Sequence, residues 1–315
     1  MRAVRSLLWL AVVGGYAVLP WLAPSLTYQL TIVLALGLAA LAVSLMLQAG
    51  LISFGHALFY AAGAYAAAYL GRLTGAHVVI TLLLSSLSAA LLALIAGLLI
   101  VRYRGIFFAM LNLALSMVAY TLLLKLYNVT GGSDGLVVSA TGVAGYAMGP
   151  TGLADLLFYL ALAAAVLAAW FVRVYLRSPA GWALGAIQDR EIRVEYLGVS
   201  ARRVLLVAYV LSGGLAGLGG AIAGIAVGHV APDSAYWTTS AGFVVMAVLG
   251  GGGDVFGAFA GAALYEMLSV FAAQYLSSSW ELLLGVIIFV IVRFAPSGLW
   301  GFYDGLWRRM AAGER

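Results

Sequence analysis

The sequence predicts an all-α protein threaded repeatedly through a membrane, with about ten membrane segments, several of them short or broken. Three observations predict it. Of the 315 residues, 65% are apolar and only 9% are charged, far too little charged surface to keep a domain of this length in water. Apolar runs of roughly 17–25 residues recur along the chain, each long enough to cross a hydrocarbon core about 30 Å thick. The basic residues gather at alternate segment ends.

The segments fall near 7–23, 29–48, 57–70, 78–100, 106–126, 153–174, 204–228, 240–251, 255–274 and 281–295. The opening Met1-Arg-Ala-Val-Arg5 followed by Ser6–Leu19 has the outline of a secretory signal. Its apolar stretch is long and ends in Pro20 and Pro24 without a small-x-small site, so it is expected to be an uncleaved first span. With the N-terminus inside, all 16 Lys and Arg residues except Arg72 and Lys125 lie on the inner side. That asymmetry follows the positive-inside rule, and it puts both termini in the cytoplasm. Dropping one span would move whole Arg clusters to the wrong side. The one long polar interval, 177–203, is too short for a core of its own. Residues 1–315 are therefore expected to form a single transmembrane domain with 177–203 as a cytoplasmic loop within it.

Composition also excludes chemistry. There is no Cys, so disulfides and thiolate metal sites are out. The histidines His56, His77 and His229 are too scattered in sequence to suggest a metal cluster. A phosphate-cradling P-loop needs Gly-Lys-Ser/Thr, but the only lysine, Lys125, lies in Leu-Leu-Leu-Lys-Leu. A pI near 9.5 would suit nucleic acid, but basic residues at segment ends are accounted for by topology and anionic lipid headgroups. No nucleic-acid partner is expected.

Glycines repeat one turn apart at Gly213 and Gly217, at Gly220, Gly224 and Gly228, and at Gly253, Gly257 and Gly261. Small residues at this spacing let helix backbones approach closely in lipid. Two glycine-rich stretches interrupt the helical pattern: Gly50-Leu-Ile-Ser-Phe-Gly-His56 and Gly250-Gly251-Gly252-Gly253-Asp254. Each precedes a small-residue helix. Irregular backbone at membrane depth must be surrounded by protein or line a wet cavity, and broken helices in matching positions of two halves point to a transport path. Ser53 and Asp254 either cap the helices that follow them or face that path. His56 either hydrogen-bonds within the bundle or meets the solute, and Phe54 and Gly55 lie beside it. Glu266 is the one ionisable side chain near mid-membrane, a functional candidate by default, with an interhelical hydrogen bond as its alternative. Asn112 and Ser116, one turn apart, are candidates of the same kind.

The loop 177–203 carries Ser178 and Pro179 where an N-cap and first helical residue belong, and Gly198 where a helix stops. An amphipathic helix resting on headgroups would be dominated by basic residues. Asp189, Glu191 and Glu195 point instead to a protein partner, with Trp182, Ile187 and Tyr196 expected to be exposed.

The motifs Ile52–Tyr65, Tyr103–Ala109, Thr130–Leu136, Ser178–Gly198, Leu211–Gly220, Leu249–Ala258 and Pro296–Gly301 together resemble the permeases of branched-chain amino acid ABC importers. The resemblance implies a type II-like ABC importer permease in the inner (plasma) membrane of a prokaryote. Its partners would be a related second permease, two cytoplasmic ATPase subunits and an extracytoplasmic solute-binding protein. By the same resemblance it would not itself be an enzyme. No cofactor is expected in this chain; ATP and Mg would belong to the ATPases. The solute would be Leu, Ile, Val or a similar small amino acid. By the same resemblance Asp189, Arg190, Glu191, Glu195 and Gly198 would form the ATPase-coupling loop. Thr130, Gly131, Gly132, Ser133, Asp134 and Gly135, on the outer side, belong either to a surface receiving the binding protein or to a tight turn. In some relatives the N-terminus carries additional membrane segments. A stand-alone channel or secondary transporter for urea or an amide is the competing expectation; an intramembrane enzyme would need convergent polar groups that the sequence lacks.

Overall fold

The computed structural model describes residues 13–73, 77–139, 142–143, 146–147, 150–251 and 255–275, with scattered positions from 282 to 301. Its helices in chain order are α1 (Val13–Leu22), α2 (Thr27–Leu47), α3 (His56–Leu73), α4 (Val78–Ile100), α5 (Gly105–Lys125), the single turn α6 (Tyr127–Thr130), α7 (Pro150–Leu176), α8 (Pro179–Tyr196), α9 (Ala201–Val227), α10 (Trp237–Gly250) and α11 (Val255–Tyr275). Four two-residue strands, β1 (Leu136–Val137), β2 (Gly142–Val143), β3 (Tyr146–Ala147) and β4 (His229–Val230), pair antiparallel as β1 with β4 and β2 with β3.

Among the described residues six helices are long and apolar enough to cross a membrane: Pro24–Leu47, Val78–Ile100, Gly105–Lys125, Gly152–Leu176, Ala201–Val227 and Val255–Ala272. The remaining expected segments fall short for separate reasons. α1 and α10 are apolar but shorter. α3 is diluted by Tyr60, Tyr65, Tyr69 and Arg72. Most of 281–295 lies outside the described residues.

α9 stands at the centre, packed against α2, α3 and α4. Its glycines explain how one helix meets three neighbours. A Cβ at Gly219 would strike the Ala35 carbonyl of α2; one at Gly220 would strike the Tyr60 carbonyl of α3; one at Gly217 would overlap the Ala89 methyl of α4, and one at Gly213 the Ala93 methyl. The partners are small in turn: a Cβ at Gly63 would collide with the Gly217 backbone. In lipid, apolar side chains gain little by leaving the solvent, so contact of this closeness is what holds helices together. Gly228 departs from the expected stripe. It adopts φ 74° just past α9, with open space where a Cβ would sit, and it ends the helix instead of packing it.

The two glycine-rich breaks differ in shape. α10 and α11 form a tight hairpin, where a Cβ at Gly257 would come within 2.7 Å of the Gly250 carbonyl. α2 and α3 instead diverge around α9. Gly251 closes α10 with φ 84°, while Gly252, Gly253 and Asp254 fall outside the described residues.

Gly217→Leu is expected to destabilise the bundle by at least about 1–3 kcal/mol through overpacking, seen as a lower melting temperature in detergent. Gly14→Ala, with nothing within 4 Å of the added carbon, should melt like the parent protein.

Candidate functional site

The break before α3 is not an opening but a braced junction. The backbone leaves α2 at Gly50, which takes φ 69°, and re-enters helix at His56. His56 and Ser53 are both fully buried. His56 Nδ1 lies 2.8 Å from Ser53 Oγ and Nε2 lies 3.0 Å from Ser212 Oγ of α9. The Ser212 hydroxyl donates to the Tyr209 carbonyl at 2.8 Å. With that proton committed, Nε2–H donates to Ser212 and Nδ1 accepts from Ser53. The first amides of α3 are satisfied from outside the helix. Ala57 N donates to Ser240 Oγ of α10 at 2.8 Å, and Gly55 N approaches Ser53 Oγ at 3.4 Å.

The brace continues into α5. Its buried face consists of Phe108, Asn112 and Ser116, one residue per turn. Asn112 Nδ2 donates to the Phe108 carbonyl at 2.9 Å, which leaves Oδ1 to accept the Tyr209 hydroxyl at 2.5 Å. Ser116 donates to the Ala235 carbonyl at 2.7 Å. Gly55 is glycine because a Cβ there would stand 2.8 Å from both Asn112 oxygens. The rings of His56, Phe59, Phe108 and Tyr209 meet edge to face around this chain of bonds, with Phe59 and Tyr209 centroids 5.5 Å apart. Both ring nitrogens of His56 are thus engaged by hydroxyls of the bundle.

Other candidates reach a surface. Phe54 is half-buried and Ile52 is exposed. Glu266 on α11 is half-buried, and Ser269, one turn on, has a buried hydroxyl without a hydrogen-bond partner. Among the described residues no three metal-ligating side chains converge.

At the opposite end of α5, Thr130–Gly135 forms a compact turn with Gly131, Gly132 and Gly135 all at positive φ. Thr130 Oγ1 donates to the carbonyls of Leu123 and, at 2.9 Å, Leu126. Tyr69 of α3 donates to the Val129 carbonyl. The Asp134 carbonyl accepts from His229 Nε2 at 2.8 Å, and β1–β4 pairing follows directly. Ser133 and the Asp134 side chain remain exposed.

α8 forms as its caps direct. Ser178 Oγ accepts from Gly181 N at 3.3 Å, Pro179 takes the first position and Gly198 turns out at φ 80°. Leu184, Ile187 and Val194 are buried against α7 and α9, so Ile187 is not exposed as expected: it sits three residues after Leu184 on the inward face. Trp182 is 73% and Tyr196 87% exposed. Arg190 is non-helical, with φ −157° and ψ 98°, and kinks the helix. Asp189, Arg190 and Glu195 face outward. Glu191 does not: it forms an ion pair with Arg104, in the α4–α5 turn, at 2.6 Å. Arg104, Tyr209, Ser212 and Ser240 went unnoticed as site residues. Only Arg104 left a local signal, as one of two arginines, with Arg102, between two apolar runs.

A bundle closed by glycine contacts, apolar on its outer faces and hydrogen-bonded within, defines a multi-pass integral membrane protein. A family model described as "Branched-chain amino acid transport system / permease component" matches residues 25–292, and the chain belongs to that family. It is 29% identical over 271 residues to the "High-affinity branched-chain amino acid transport system permease protein LivM" of Escherichia coli (strain K12), and 28% identical over 271 residues to the protein of the same name from Salmonella typhimurium (strain LT2). Each alignment covers 79% of this chain and 64% of the relative, so the chain spans less than two thirds of the length of these curated relatives. No solved structure matches it.

Tyr209→Phe strands the Asn112 carboxamide oxygen in the interior. The expected cost is about 1–2 kcal/mol, read as a lower melting temperature in detergent, with Tyr103→Phe, an exposed ring, as a neutral comparison.

Proposed function

We propose that the chain is a membrane permease subunit of an ATP-driven importer. With a related second permease it would form the path for branched-chain amino acids or similar small amino acids. Two cytoplasmic ATPases would drive it and an extracytoplasmic binding protein would deliver the solute. The observation that carries this proposal is α8. It is a helix outside the apolar bundle, seated by Leu184, Ile187 and Val194, that turns Trp182, Ile192 and Tyr196 outward beside charges of both signs. A helix lying on headgroups has no use for Asp189 and Glu195; a protein groove has. The clustering of Arg102, Arg104, Arg173, Arg177, Arg202 and Arg203 around this end of the bundle supports its assignment to the cytoplasm.

In this scheme Ser53, Gly55, His56 and Asn112 fix the geometry of the path without touching solute, because all four are buried. Phe54 and Glu266 are the candidates that reach it. Thr130–Gly135, with exposed Ser133 and Asp134, is the candidate platform for the binding protein. Gly250 and Gly251 set the α10–α11 hairpin, and Gly252, Gly253 and Asp254 complete the candidate broken-helix region.

Replacing Trp182 and Tyr196 by Ala is expected to weaken association with the ATPases about tenfold or more, the usual loss when exposed aromatic anchors are removed, measured by co-purification from detergent at fixed concentrations. Solute flux through liposomes holding this chain alone, with no ATP, would overturn the importer in favour of a channel or secondary transporter.

A further inference from the structure

Two backbone links at the same end of the bundle lean on α8, one on each side of its kink. Before the kink, Gln188 packs over Gly50, its Cγ 3.0 Å from where a Cβ would stand. Gly50 opens the link that runs through Ser53 to His56. After the kink, Glu191 takes Arg104 in a two-pronged grip: Nη2 donates to Oε1 at 2.6 Å and Nε to Oε2 at 2.7 Å. The remaining guanidinium nitrogen of Arg104, Nη1, donates to the carbonyls of Val101 and, at 3.0 Å, Tyr103. Those carbonyls lie at and just past the end of α4, where a cation and its donors are favoured. One side chain thus ties α8, the end of α4 and the start of α5 together.

We propose that Arg104 is a positioning residue for energy coupling, the group through which movement of α8 reaches α4 and α5. The proposal rests on the importer function assigned above. Both partners of the pair are about 30% exposed, so as a stabilising contact it is worth little. Its geometry is another matter. A guanidinium fork on a carboxylate fixes direction as well as distance. Arg190, with its non-helical backbone, separates the Gln188 grip from the Glu191 grip. Bending there moves the α4–α5 turn relative to the α2–α3 link. Downstream, α5 carries Asn112 and Ser116, and the α2–α3 link carries Ser53 and His56, so the two sides of the internal brace are the two parts displaced. This is a contiguous set of contacts with a kink between its two halves, a network of the kind that can carry a change between distant sites.

The test uses the full complex in proteoliposomes: this chain, its second permease, the ATPases and the binding protein, with labelled leucine as the probe. The readout is leucine taken up per ATP hydrolysed. Arg104→Glu and Glu191→Arg should each lower that ratio roughly fivefold or more while the ATPases remain bound, and the two together should recover a substantial part of it. A ratio unchanged in the single variants, or a paired variant no better than either single, would overturn the proposal. If a single variant fails to assemble, Glu191→Gln, which keeps the shape and removes the charge, is measured instead. A fall of about twofold or more supports the role and an unchanged ratio refutes it. An unmodified complex that assembles but never links uptake to ATP would remove the importer function itself, and this inference with it. That result is distinct from a coupled parent whose Arg104 variants are normal.

Discussion

Everything in this bundle depends on backbones meeting where side chains are missing. α9 touches α2, α3 and α4 at Gly219, Gly220, Gly217 and Gly213, each against a carbonyl or an alanine methyl. No apolar side chain could supply that attraction in lipid, where the surrounding medium is as oily as the helix. Once the four helices are fixed at these distances, the polar atoms between them have no water to turn to. Tyr209, Ser212, His56 and Asn112 then satisfy one another. Close packing comes first, and the brace follows as its consequence.

The brace changes what the broken helix does. A glycine-rich interruption at membrane depth suggests exposed amides waiting for a ligand. Here Ser240 and Ser53 already occupy the amides of Ala57 and Gly55. The break instead lets α2 and α3 diverge around α9, which a continuous helix would forbid. The second break is used in the opposite sense, to fold α10 back upon α11.

What the sequence revealed follows the range of each interaction. The glycine stripe of α9 and the caps of α8 are local patterns and, Gly228 apart, behave as their spacing implies; of the ten expected segments, six are long and apolar enough to cross a membrane among the described residues. Gly228 continues the four-residue repeat, yet its left-handed backbone depends on where α9 stops. Ile187 was misjudged because its face is set by the packing of α8 on α7 and α9. The pairings of His56 with Ser212, 156 residues away, and of Arg104 with Glu191, 87 residues away, leave no trace in either stretch alone. Residue type is legible locally; the partner of a long-range contact is not.

α5 buries little of its length, a single file of Phe108, Asn112 and Ser116, yet it is fastened at both tips. One tip adjoins the guanidinium of Arg104. The other runs into the Thr130–Gly135 turn, where β1–β4 pairing and the Asp134–His229 bond clasp it to the segment leaving α9. Its 21 residues make a rod about 30 Å long. A rod loosely embraced along its flank but pinned at its ends transmits tilt more readily than a fully packed helix. The Arg104 corner and the Thr130–Gly135 turn are therefore joined through a single helix.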